Sequence, residues 1–230
     1  ARRRSTTSTP GSRPWSAGPR AQLFRNVGFV AMDINDVERI ELQALGGADT
    51  ILVEHLTGTD LKQVVLDLSS GVPGVGDGAT DTLFVNGSNG NNTLTLTSVG
   101  GDVSIAGLAA QIRVTGGETT DSFQIFGQGG NDKISAALLP AAVPQLALYG
   151  GTGNDVLIGS ARNDVLEGGE SNDTVTGGGG NDLAVLGAGN DLFVWNAGDG
   201  DDFVDGGMGS DTLRFTGSAL DEILRLLPFG

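Results

Sequence analysis

Apolar residues in this chain come in short runs of four or five, each ended by a cluster of Gly, Asn or Asp. Thr50-Ile51-Leu52-Val53, Val64-Val65-Leu66-Asp67-Leu68, Thr82-Leu83-Phe84-Val85 and Thr93-Leu94-Thr95-Leu96-Thr97 are such runs. Their β-branched content, and the alternation from Thr93 to Thr97, predict strands. Gly46-Gly47-Ala48-Asp49 and Gly87-Ser88-Asn89-Gly90-Asn91-Asn92 read as the turns between them. Short strands at roughly even spacing over 23–112 suit a sandwich, a barrel or a solenoid. Residues 1–22 are rich in Ser, Thr, Pro and Arg with no apolar period, and read as a disordered arm. No apolar stretch follows Arg2, Arg3 and Arg4, so a twin-arginine export signal is rejected. The chain opens on Ala rather than Met, as a fragment or processed product would. A helical period occurs only over 218–228, where Ser218 caps, Asp221 follows three residues later and Pro228 stops the helix. Leu220, Ile223, Leu224 and Leu227 share its apolar face, which suits a cap over an exposed end of the fold.

From Gly150 the sequence repeats every nine residues. The units are GGTGNDVLI (150–158), GSARNDVLE (159–167), GGESNDTVT (168–176), GGGGNDLAV (177–185) and LGAGNDLFV (186–194). After inserted Trp195 and Asn196 come AGDGDDFVD (197–205) and GGMGSDTLR (206–214). Two looser copies lie upstream, GGETTDSFQ (116–124) and, after Ile125-Phe126, GQGGNDKIS (127–135). In each unit six residues form a turn and three a strand, with the middle strand residue inward. Leu157, Leu166, Val175, Ala184, Phe193, Val204 and Leu213 take that inward slot. Alternate turns stack, so one coil is two units.

This spacing specifies a chemistry. Glycine reaches left-handed φ without a Cβ penalty, so the turn can curl its carbonyls toward one point. The sixth-position aspartates Asp155, Asp164, Asp173, Asp182, Asp191, Asp202 and Asp211, with Asp132 upstream, supply hard anionic oxygens. Calcium takes about six to eight oxygens at about 2.3–2.6 Å. Carbonyls of two stacked loops and an Asp from each can provide them. The loop positions expected to do so are Gly151, Gly153, Gly169, Ser171, Gly178, Gly180, Gly187, Gly189, Gly198, Gly200, Gly207 and Gly209. The expected pairs are Asp155/Asp173, Asp164/Asp182, Asp173/Asp191, Asp182/Asp202 and Asp191/Asp211, giving about five ions. Asp164/Asp182 is expected to be weakest or empty, because Ser160 and Arg162 replace glycines and Arg162 adds positive charge. The two-residue insertion is expected to distort the pair involving Asp202.

The pattern G-G-x-G-x-D-x-U-x, with U apolar, is the calcium-binding nonapeptide of RTX proteins. The chain resembles this RTX, or haemolysin-type, family closely over 150–214 and more faintly over 116–135. Residues 23–112 are similar to the irregular β segments that accompany such repeats in large secreted bacterial proteins. The resemblance implies an all-β fold, a right-handed parallel β-roll (β-solenoid) with calcium-binding turns over 113–217, preceded by an irregular segment. That segment either continues the solenoid without full calcium turns or forms a separate sandwich. It further implies export by a one-step route with an uncleaved C-terminal signal, for which 218–230 is the sharper alternative to a cap.

Composition changes the picture mainly by exclusion. Of 28 acidic residues 21 are Asp, against 13 basic residues, for a net charge of −15; 39 residues are Gly. Asp favours turns and metals where Glu favours helices. With no cysteine there is no disulfide, thiolate metal site or thiol nucleophile. The charge opposes nucleic acid as a partner, and no apolar run is long enough to span a membrane. From 113 to 217 there are 15 acidic residues and four basic ones, so metal-free turns would repel one another. Calcium-triggered folding outside the cell follows as the expected behaviour.

His55, the single histidine, has no nucleophile fixed beside it and is read as structural. No G-x-S-x-G, H-E-x-x-H or P-loop occurs. Leu183, Val185, Leu192 and Val194 are expected to face outward, with Trp195 packed on an adjacent segment. The expected protein is non-enzymatic: a calcium-binding structural module, extracellular or at the cell surface. Its partners would be calcium, other domains of a larger protein or a surface polymer. The alternatives are an adhesive or carbohydrate-binding region and a non-catalytic part of a polysaccharide-acting enzyme.

Overall fold

The computed structural model describes residues 20–25, 30–72 and 75–220. The expected helix over 218–228 lies outside the described residues beyond Leu220, and so does the N-terminal arm up to residue 19. Strand β1 (Ala21–Arg25) begins two residues before the expected β segment and pairs antiparallel with β2 (Val30–Ile34).

From there the chain alternates between two sheets. β3 (Arg39–Gln43), β4 (Thr50–Val53), β5 (Gln63–Asp67) and β6 (Thr82–Asn86) are laid down in turn. β7 (Thr93–Val99), β8 (Asp102–Ala106) and β9 (Gln111–Thr115) interrupt the alternation as an antiparallel meander. Alternation resumes with β10 (Ser122–Gly129), β11 (Lys133–Leu138), β12 (Gln145–Thr152), β13 (Val156–Ile158), β14 (Val165–Glu170) and β15 (Thr174–Thr176). It continues through β16 (Leu183–Gly189), β17 (Leu192–Asn196), β18 (Phe203–Asp205), β19 (Met208–Gly209) and β20 (Thr212–Thr216).

The first sheet runs β3-β5-β9-β8-β7-β11-β13-β15-β17-β20 and the second β4-β6-β10-β12-β14-β16-β18, with β19 on β16. Outside the meander every neighbour in these two sheets is parallel. The described residues are thus all-β, in a parallel roll of two facing sheets. The strands of 39–115 belong to the same two sheets as the nonapeptide strands, and the meander widens one sheet without leaving the core.

The core is the column of inward side chains between the sheets. Leu157, Leu166, Val175, Ala184 and Phe193 are fully buried, stacked in register with Leu148, Ile134 and Ile125 upstream. Val204 is partly buried and Leu213 is 61% exposed, so the column opens to solvent at the last described coil. Of the four residues expected outside, Leu183 is exposed and Val185 and Leu192 are half-buried. Val194 is instead buried, beside Trp195, whose ring stacks on Phe215 at 4.2 Å.

The two sheets differ in one respect that the nonapeptide alone does not express. β13 and β15 have the three residues expected, whereas β14 and β16 run on into the following turn and pair Gly151, Gly169 and Gly187 across the sheet.

Candidate metal centre

Each sixth-position Asp stands at the point where a turn becomes a strand. Its carbonyl starts the next rung, as when Thr174 N–H donates to the Asp155 carbonyl at 2.8 Å and Leu192 N–H to that of Asp173 at 2.8 Å. Its own N–H donates to Oδ1 of the Asp one coil later. The bonds are 2.7 Å for Asp132 to Asp155, 2.8 Å for Asp155 to Asp173 and 2.7 Å for Asp173 to Asp191. On the other sheet they are 2.7 Å for Asp164 to Asp182 and 2.9 Å for Asp182 to Asp202. Asp191 to Asp211 closes the first column at 3.0 Å. All five expected pairs are therefore adjacent. The Asp182–Asp202 step spans 20 residues rather than 18, yet Leu183 still pairs with Phe203, so the insertion leaves the ladder undistorted. Trp195 and Asn196 are absorbed as an extension of β17.

One carboxylate oxygen per Asp is thus satisfied; the other is not. Oδ2 of Asp132, Asp155, Asp173, Asp182, Asp191 and Asp202 is buried with no hydrogen-bond partner, as is Oδ1 of Asp164. These side chains are enclosed: Asp132, Asp155, Asp164, Asp173, Asp182 and Asp191 are each 1–3% exposed. Burial of the charged form pushes the carboxyls of Asp155 and Asp164 up to about 6, and those of Asp173 and Asp182 to about 7. Repulsion from stacked neighbours, Asp155 and Asp191 on Asp173, adds to the rise. A buried acceptor left unpaired costs about 1–3 kcal/mol, so a file of them needs a partner.

The glycines show what that partner meets. A Cβ on Gly150 would strike both Oδ2 of Asp155 and the carbonyl oxygen of Gly168. On Gly168 it would strike Oδ2 of Asp173 and the carbonyl of Leu186, and on Gly127 Oδ2 of Asp132 and the carbonyl of Gly150. The orphan oxygens of Asp132, Asp155 and Asp173 therefore each face a main-chain oxygen of the next coil with no hydrogen-bond donor on the carboxylate oxygen, the arrangement an oxygen-seeking cation closes. Among the described residues no three carboxylate or imidazole groups converge on one point. The cation's remaining ligands would be carbonyls, as hard cations accept. Gly151, Gly153, Gly169, Gly178, Gly180, Gly187, Gly198, Gly200, Gly207 and Gly209 hold φ between 81° and 136°, in the left-handed region. Ser171 takes the same region at 80° despite its Cβ, whereas Gly189, Ser160 and Arg162 are not left-handed. The unit carrying Ser160 and Arg162 thus makes its turn without the strain their side chains would meet in that region.

Three features went unread in the sequence. The fifth position is Asn in five successive units, and these form a ladder in each column, with Asn172 N–H on Asn154 Oδ1 at 2.9 Å and Asn190 N–H on Asn172 Oδ1 at 2.6 Å in one and Asn181 N–H on Asn163 Oδ1 at 2.8 Å in the other. Asn points forward where Asp points back, so each turn is clamped from both neighbours. Second, Asp49, Asp81 and Asp121 form a further carboxylate ladder through N–H bonds of 2.8 and 2.9 Å. Both oxygens of Asp121 accept main-chain N–H groups, from Asp81 and from Glu118 at 2.6 Å. Third, Arg162 donates to the carbonyls of Val143 at 2.6 Å and Thr119 at 2.9 Å. It fills the gap where 139–144, carrying neither Gly nor Asp, breaks the column between Asp121 and Asp164.

His55 is exposed and accepts the Thr57 N–H at Nδ1, 3.3 Å away. No helix among the described residues is long and apolar enough to cross a membrane.

Residues 149–184, 158–193 and 196–213 match the family model described as RTX calcium-binding nonapeptide repeat (4 copies). No curated protein and no solved structure matches the chain. The coils of 149–213, with their orphan carboxylate oxygens and left-handed glycines, are RTX-type calcium-binding nonapeptide repeats.

Proposed function

We propose that the stacked turns of 113–217 hold a file of about five calcium ions, and that this region folds on binding them. The observation that carries the reading is the row of buried, partnerless carboxylate oxygens, those of Asp132, Asp155 and Asp173 each set against a carbonyl of the next coil. The ligands are the aspartates Asp132, Asp155, Asp164, Asp173, Asp182, Asp191, Asp202 and Asp211 with carbonyls of the glycine turns. Asp164/Asp182 holds its ion least tightly, because the positive charge of Arg162 acts on Asp164.

Five calcium ions would take the formal charge from −15 to about −5. Binding only to the folded form stabilises it by about 2.7 kcal/mol per site at a hundredfold excess over Kd. Several such sites exceed the net stability of an ordinary domain, about 5–15 kcal/mol. Extracellular modules bind calcium at about 10⁻⁴–10⁻³ M, so the coils would stay open in the cytosol and close outside the cell. The role is structural rather than catalytic, in an exported or surface protein. Far-UV circular dichroism in chelator and then in millimolar calcium tests it. A gain of β signal on adding calcium is expected; a spectrum unchanged by calcium sinks the reading.

A further inference from the structure

The loop 87–92, Gly87-Ser88-Asn89-Gly90-Asn91-Asn92, stacks on the first loop of the nonapeptide column, 127–132. It has glycines at its first and fourth positions and a sixth-position residue that starts β7, but that residue is Asn rather than Asp. Asn92 holds the ladder position in full: its N–H donates to Oδ1 of Asp132 at 2.6 Å, as Asp132 N–H does to Asp155. Its side chain does something the aspartates cannot. Nδ2 shares its two protons among the carbonyls of Gly90 at 2.6 Å, Ser88 at 3.0 Å and Gly127 at 3.2 Å and Oδ1 of Asp132 at 2.8 Å.

These are the oxygens that a cation would gather one coil downstream. A Cβ on Gly87 would meet Asn92 Nδ2 and the Gly127 carbonyl, where one on Gly127 would meet Asp132 Oδ2 and the Gly150 carbonyl. The two loops are superposable in role, with an N–H₂ group in one and an unpartnered oxygen in the other. The orientation of the amide is fixed by its surroundings. Turned over, it would set its carbonyl against four oxygens with no donor among them, while Oδ1 as placed accepts the Ser88 N–H and hydroxyl at 3.2 and 2.9 Å.

We infer that the Asn92 carboxamide is a built-in substitute for the cation, so that the ion file on this sheet ends between loops 127–132 and 150–155 and the loop above it closes without metal. This rests on the calcium reading above. The two protons of the amide do the work of the ion's positive charge: they neutralise the facing oxygens, at no net charge and at any calcium concentration. The coil at Asn92 then offers a finished edge on which the calcium-dependent coils can build. Asn89 and Asn91 do not share the role, since Asn91 Oδ1 belongs to the outer ladder, accepting Asn131 N–H at 2.8 Å.

The test is Asn92→Asp in the full chain, with bound calcium counted by equilibrium dialysis at millimolar calcium. The wild type should bind n ions and the variant n + 1. The variant should also melt lower than wild type in chelator, because its new carboxylate faces four acceptors, and should gain more from calcium. Equal stoichiometry in the two proteins overturns the inference while leaving the calcium reading intact. A wild type that binds no calcium overturns both. Should the variant not fold, a calcium anomalous map of wild-type crystals decides the matter. Density between loops 127–132 and 150–155 but not between 87–92 and 127–132 is the expected result, and a peak beside Asn92 overturns the inference.

Discussion

The main-chain N–H of Asp155 donates to Oδ1 of Asp173 at 2.8 Å, and Oδ2 of that same Asp173 lies buried with no donor at all. The aspartate is half structural and half vacant, and the halves respond oppositely to substitution. Asp173→Asn keeps the Oδ1 acceptor for Asp155 and replaces the vacant oxygen by a donor facing the Leu186 carbonyl. In chelator the variant should therefore be more stable than wild type, since a buried charge and its repulsion with Asp155 and Asp191 are gone. In millimolar calcium it should be less stable, by about 2.7 kcal/mol for each ion lost at a hundredfold excess over Kd. Thermal melts in the two buffers read the crossing; a variant destabilised in both would show that the charge is needed for something other than a cation.

The same carboxyls set a pH dependence whose sign reverses with calcium. Burial raises Asp155 and Asp164 from the ordinary 3.8 to about 6, and Asp173 and Asp182 to about 7. The metal-free fold therefore holds more protons than the unfolded chain between about pH 4 and pH 7. Its stability is full below about 4 and is lost as pH rises through 6 and then 7. Calcium needs the anion, so acidification through the same window should weaken binding, by about tenfold per pH unit for each proton displaced. Melting temperature should fall from pH 5 to pH 8 in calcium-free buffer and rise over the same span in excess calcium.

The glycines are not equivalent, and the difference can be measured. Gly153 has φ +116°, and a Cβ there would strike the Gly130 carbonyl oxygen. Gly179 lies in an ordinary backbone region, with nothing nearer its Cβ position than Ala161 Cα at 3.5 Å. Gly153→Ala should cost more than the about 1–2 kcal/mol of left-handed strain alone, because the stacked turns must also part. Gly179→Ala should be neutral or stabilise by up to about 1 kcal/mol, through the unfolded chain. Denaturation midpoints of both variants in calcium check the contrast.

What the sequence made legible was whatever repeats at a fixed interval. Asp155 through Asp191 recur every nine residues, so their register, the inward slots of Leu157 to Phe193 and the pairing two units apart could all be read. Asp81 could not, because its neighbours in the ladder lie 32 and 40 residues away, and no constant period connects them. The meander of β7, β8 and β9 lengthens one of those coils while the strand register is kept, since each doubling of a loop adds little closure cost. Val194 is buried out of phase with inward Phe193, and nothing in the structure explains its departure from the alternation rule. Arg162 was read for its charge beside the ion. Its reach to Thr119 and Val143 is a contact across 43 and 19 residues, visible only once the coils are stacked.

That reach gives Arg162 a behaviour distinct from that of any ligand. Its guanidinium satisfies the carbonyl of Val143, a residue 1% exposed, in a turn that offers neither glycine nor carboxylate. Arg162→Ala would strand that carbonyl, at a cost of about 1–3 kcal/mol. The Thr119 carbonyl belongs to an exposed residue, and water can replace the bond there. Because neither carbonyl waits for an ion, the loss should be of similar size at every calcium concentration that folds the coils, unlike the reversal expected of Asp173→Asn. Removing the charge should at the same time tighten calcium at Asp164/Asp182, since Arg162 holds the Asp164 carboxyl below where burial alone would put it. Chemical denaturation at low and at saturating calcium, alongside a calcium titration, separates the two effects. A stability loss that grows with calcium concentration would mean that Arg162 serves the ion site and not the break in the column.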